Sequence, residues 1–109
     1  MRLFITALIL FASATSAIAA DEDLNICNAG GYYAGAQDRF MSGIAQHILQ
    51  KRGLLGTVNC SALWKSAYEV GASFSRTGKI ANQNEAEILK QASTFSEKVY
   101  SNISTSMGY

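Results

Sequence analysis

Residues 84–103 read Asn84-Glu85-Ala86-Glu87-Ile88-Leu89-Lys90-Gln91-Ala92-Ser93-Thr94-Phe95-Ser96-Glu97-Lys98-Val99-Tyr100-Ser101-Asn102-Ile103, and this stretch decides the fold class. Ile88, Ala92, Phe95, Val99 and Ile103 recur at the spacing of one helical face. Lys90, Gln91, Ser96, Glu97 and Asn102 fall on the other side, as a solvated surface requires. Asn84 with Glu87 three positions on has the form of a capping box, so the helix is expected to begin there.

Upstream, residues 61–77 carry a second helical stripe: Leu63, Trp64, Ala67, Tyr68, Gly71 and Phe74. Gly78 supplies the left-handed stop, with Ile80 placed for the accompanying apolar contact. A third helix is expected from about Tyr32 to Arg52. Its stripe is Tyr33, Phe40, Ile44 and Ile48, interrupted at Gln37, and it ends at Lys51-Arg52-Gly53-Leu54. Gly30 and Gly31 each cost about 1 kcal/mol in a helix interior, which places the start no earlier than Tyr32. Gly35 and Gly43 mark places where another helix comes close. No segment alternates apolar and polar residues with β-branched enrichment. The expected fold is all-α, a small disulfide-stapled bundle of three main helices. A polar tail over 104–109 is expected to fray.

The chain has 109 residues, which allows one domain. Its first twenty residues have the form of a secretory signal: Met1-Arg2, an apolar run from Leu3 to Ala12, then small residues ending Ala17-Ile18-Ala19-Ala20. The apolar run is about half of the ~20 residues a bilayer span needs, so a membrane anchor is disfavoured. Cleavage is expected after Ala19 or Ala20. That leaves a single helical domain over 21–109 in the periplasm or outside the cell, without stable membrane insertion. Asn25-Ile26 before Cys27 is not the small-residue context of a lipid-anchored cysteine.

Nine Lys and Arg against eight Asp and Glu leave no basic stripe, and nucleic acid is not an expected partner. Two cysteines in a short exported chain read as a disulfide, Cys27–Cys60; a bond across a dimer and two buried thiols are the alternatives. Closing that loop is worth about 4 kcal/mol on the chain-entropy model. The bond also constrains the path. If a helix from Tyr32 to Arg52 simply doubled back into the next, the two cysteines would lie about 30 Å apart. Either residues 20–31 must turn at Gly30-Gly31 and run along that helix, or residues 54–59 must return along it, and a mixture of both is expected.

The chemistry-bearing residues are few. His47, the single histidine, has neither an H-x-x-x-H nor an H-x-x-E partner, and nucleophile elbow, P-loop and C-x-x-C motifs are missing. No cofactor, metal ligand or catalytic residue is assigned. Candidate partner-surface residues are Tyr32, Arg39, Trp64 and Tyr68, residue types that anchor protein interfaces. Gly31, Gly35, Arg39 and Gly43 would share one face of the expected helix, either an interface or internal packing. Tyr32 and Tyr33, being adjacent, point about 100° apart on a helix and cannot both face inward, so at least one is expected to be exposed.

The leading functional expectation is a non-catalytic protein-binding module in the cell envelope, of inhibitor, immunity or chaperone-like type. The rivals are a homo-oligomeric structural or secretion-assembly component, and an enzyme using His47 with Asp38 or Glu69.

Overall fold

The computed structural model describes residues 21–106. The expected signal segment and the last three residues of the expected tail lie outside them. The described residues are all-helical: α1 Asp21–Gly35, α2 Arg39–Lys51, α3 Val58–Thr77 and α4 Gln83–Ser106. Four helices replace the expected three, because the segment read as one helix from Tyr32 to Arg52 is parts of two.

The break follows from local chemistry. Gln37 takes a left-handed conformation with φ 66°. Its N–H donates to the Ala34 carbonyl (3.1 Å), and the Asp38 N–H reaches back to the Tyr33 carbonyl (2.8 Å). These two bonds form a Schellman close to α1. Asp38 then caps α2, its side chain accepting the Met41 N–H at 3.1 Å. A non-glycine residue in this region costs about 1–2 kcal/mol. Gln37→Gly is therefore expected to stabilise the protein by about 1 kcal/mol, read as a raised denaturation midpoint. An unchanged or lowered midpoint would show that the Gln37 side chain compensates for the strain.

Two other helix ends agree with the sequence. Gly53 (φ 73°) closes α2 by the same pair of bonds, with the Leu54 N–H on the Leu49 carbonyl, and Gly78 (φ 69°) closes α3. Ile80, however, is 49% exposed rather than packed on that end. The α4 start is displaced by two residues. The Asn82 side chain, not Asn84, accepts the Glu85 N–H at 2.9 Å, and the Glu85 carboxylate accepts the Ala81 N–H at 2.8 Å. Both Asn-x-x-Glu pairs fit the motif, and the earlier one is used. Glu87 instead accepts from the Gln91 amide. The helix also continues through Ser104–Ser106, where the tail was expected to begin.

The first described helix, α1, lies at the centre of the bundle, with α2, α3 and α4 all packed on it. The Cys27–Cys60 bridge, with Cα atoms 5.4 Å apart, fixes one rung between α1 and α3. The next rungs keep the same offset of 33 residues: Gly31 lies against the Trp64 carbonyl and Gly35 against the Tyr68 carbonyl. Two helices whose contacts advance together run parallel. Gly71 completes the seam from the other side, on the Tyr32 carbonyl. Here backbone meets backbone, close enough for Cα–H···O contacts, which is why glycines occupy these positions. The chain path meets the disulfide constraint in part as expected, since residues 21–31 do run along the helix that follows them, but the turn is not at Gly30-Gly31. α2 supplies the return, Gly30-Gly31 is helical, and the reversal lies at Gln37.

The main core joins Ile26, Cys27 and Ala29 of α1 with Met41, Ala45 and Leu49 of α2, Cys60 of α3, and Ala92, Phe95 and Val99 of α4. A second, smaller cluster holds Ala67 and Val70 of α3 with Ile88 of α4. Burying each large apolar side chain contributes about 1.5–3 kcal/mol. The α4 stripe faces inward as its spacing implies. The expected Tyr33, Phe40, Ile44 and Ile48 stripe holds in part: Ile44 and Ile48, with Tyr33 of α1, pack half-buried against this core, but the fully buried positions of α2 are Met41, Ala45 and Leu49, and Phe40 is 54% exposed.

Candidate functional site

The four candidate partner residues separate into two pairs. Tyr32 is half-buried, packed against the small cluster of Ala67, Val70 and Ile88. Its ring meets Tyr33 edge-on, with centroids 5.3 Å apart. Tyr33 is also half-buried, its hydroxyl donating to the Ala92 carbonyl at 2.9 Å. The two adjacent rings are both accommodated because α1 is covered on several sides. Neither is the exposed tyrosine the sequence implied.

Burial raises both phenol pKa values above the ordinary tyrosine value near 10. For Tyr33, a hydrogen bond from Ser96 opposes the rise, whereas Tyr32, Asp38 and Tyr100 add to it. The unfolded chain therefore loses these protons first as pH rises. This contribution to stability is intact below about pH 10 and is lost as pH climbs through the raised folded values. The slope of unfolding free energy against pH above 10 is expected to flatten in the Tyr32→Phe, Tyr33→Phe double variant. An unaltered slope would assign the alkaline loss to other groups.

Trp64 is also half-buried. Its ring lies over Gly30, at the place where Ala45 of α2 approaches, so the indole is a wedge among α1, α2 and α3. One edge borders a cleft of about 350 Å³ with Gln46, Leu55, Gly56, Cys60 and Ser61.

Arg39 and Tyr68 differ from these two: both are exposed, Tyr68 by 47%. Their backbones lie near the α1–α2 turn. Gly35 rests on the Tyr68 carbonyl, and Arg39 and Phe40 follow it directly across the three-residue turn. Phe40 is the functional candidate the sequence missed, since its phase on the expected helix placed it in the core. The expected Gly31, Gly35, Arg39 and Gly43 face does not exist. The first two glycines pack on α3, Arg39 opens a new helix, and Gly43 has nothing within 4 Å of an added Cβ.

A second concavity, of about 390 Å³, lies where α1, the end of α2 and α4 meet. Ile26, Ile48, Phe95 and Val99 contribute its apolar lining. Two ion pairs, Arg52–Asp23 and Lys98–Glu22 (3.2 Å), involve residues at this site. The latter pair is well exposed on both sides and contributes little stability. Asn28 donates to Gln91 at 2.7 Å nearby, tying α1 to α4.

His47 is exposed on α2. Asp38 lies nine residues before it, about 13 Å along the helix axis, too far to orient an imidazole. Among the described residues no three or more His, Cys, Asp or Glu side chains gather as a metal site would require. No helix among them is long and apolar enough to cross a membrane. No protein-family model, curated protein or solved structure matches the chain.

Proposed function

We propose that this is a small exported, non-catalytic module that binds and masks a protein partner in the cell envelope, as an inhibitor, immunity protein or chaperone does. The observation that carries the reading is the exposure of Phe40 and Tyr68, 54% and 47%, with Arg39 also exposed, on segments that lie near the α1–α2 turn of a cross-linked bundle. A domain this small needs its large apolar side chains for the core. Aromatic and arginine side chains left outside are those that serve as interface anchors. The disulfide supports the export part, because such bonds persist in oxidising compartments.

A photo-crosslinker at Phe40 or Tyr68 in the native envelope, followed by mass spectrometry, is expected to capture one protein at stoichiometric yield. The Arg39→Ala, Phe40→Ala, Tyr68→Ala variant should keep its melting temperature within a few degrees and lose that partner. Repeated capture of no protein sinks the reading. Self-capture, with a matching mass by light scattering, replaces it with a homo-oligomer.

A further inference from the structure

The α2–α3 connection and the first turns of α3 carry twelve consecutive residues, 53–64, without a charged side chain. Most of them are exposed. The uncharged run at 24–37 differs, because it forms the central helix and its neighbours cover it. Val58 is 84% exposed and Leu55 45%. Beside them Leu55, Gly56, Ser61 and Trp64, with Gln46 of α2, line a cleft of about 350 Å³. Val58 stands one turn before Ser61 on the same side of α3, at the rim of that cleft. The patch therefore sets a projecting apolar side chain next to an uncharged hollow. We propose that this face joins two copies of the chain about a two-fold axis, with Val58 of each copy seated in the cleft of the other.

Self-complementarity points to a second copy rather than to an unrelated protein. An unrelated partner needs only a knob or only a hollow from this surface, whereas a two-fold contact needs both on one patch. A two-fold axis also brings each residue beside it close to its own counterpart, so a charge there would meet its like. The patch has no charge. Arg52, which precedes it, is held by Asp23 of α1, and Lys65 follows it. The exposed Thr57 and Asn59 flank Val58 and would meet the polar groups of Gln46 and Ser61. Val58 lies ten residues before Tyr68 on α3, about 15 Å along the helix axis, so the dimer leaves the partner surface proposed above free. Twelve residues a side is fewer than the roughly 20–30 of a standard interface, which makes the association weak and concentration-dependent.

Light scattering on the oxidised protein is expected to show a mass rising from one chain toward two between about 1 and 500 µM. Val58→Asp and, separately, Gln46→Lys should each raise the dimer dissociation constant at least about tenfold. Both positions are exposed, so the melting temperature should stay within about 2 °C of the wild type. Mixing the two variants is expected to recover dimer. The mixed pair keeps one Val58 in an unaltered cleft and gains an Asp–Lys pair at the other. Partner capture at Phe40 or Tyr68 is a separate readout, unchanged by Val58→Asp. One chain at every concentration, a mass beyond two chains, dimers indifferent to both substitutions, or a mixture no tighter than the single variants would each overturn the proposal.

Discussion

Changing Cys27 or Cys60 to serine is expected to lower the melting temperature by about 15–30 °C. The bridge closes a loop with a sequence separation of 33 residues, worth about 4 kcal/mol on the chain-entropy model. For a domain of this size each kcal/mol moves the midpoint by about 4–8 °C. A typical domain has only about 5–15 kcal/mol of stability in all. The two single variants should fall by equal amounts, and the double variant by no more, since each change removes the same bond. Reducing agent should reproduce the loss in the wild type and leave the double variant unaffected. Single variants that differ widely would mean that burial of the new hydroxyl at one site, rather than the lost cross-link, dominates. Calorimetry of the three variants with and without reductant decides between these outcomes.

The second large effect concerns the seam that the same bond anchors. A methyl group at Gly31, Gly35 or Gly71 would fall on a carbonyl oxygen of the neighbouring helix, well inside contact distance. Overpacking commonly costs about 1–3 kcal/mol, and here the obstacle is backbone, which has no alternative rotamer to adopt. Gly35→Ala is therefore expected to cost about 3 kcal/mol, net of any gain in helix propensity. Gly43→Ala should have the opposite sign: Gly43 lies on the exposed side of α2 with nothing near the added atom, so propensity alone acts and stability rises by about 0.5–1 kcal/mol. Urea denaturation of the two variants reads the signs directly. If Gly35→Ala stabilised the protein, the α1–α3 seam would have to be looser than its carbonyl contacts imply.

What is legible in the sequence follows a physical division. The α4 stripe from Ile88 to Ile103 is readable because one face of that helix packs inward and the period is unbroken. The stops at Gly53 and Gly78 are readable because left-handed residues there are glycines. The reversal at Gln37 is hidden, since a residue with no preference for that conformation occupies it, and only the gap in the apolar stripe signals it. Without that turn, Phe40 falls into the expected core and Arg39 into the middle of a helix.

The early start of α1 is obscured for a different reason. Gly30 and Gly31 disfavour a helix by local propensity, but tertiary packing overrides that preference where α3 approaches too closely for any side chain. The same crowding leaves Tyr32 and Trp64 half-buried. Packing between distant segments decides these positions, and no local pattern encodes it.

The central position of α1 also sets the order in which the chain can acquire structure. The first described helix to be synthesised is the one every later helix uses as a wall, yet its glycine seam has nothing to lie against until Trp64, Tyr68 and Gly71 have been made. A nascent chain that ends short of α3 therefore holds an uncovered, glycine-bearing segment with little helix of its own. Folding waits for most of the chain, and then engages nearly all of it at once. A fragment lacking α3 is accordingly a poor starting point for engineering, whereas a chain shortened at its far end still contains the parallel pair and its bond.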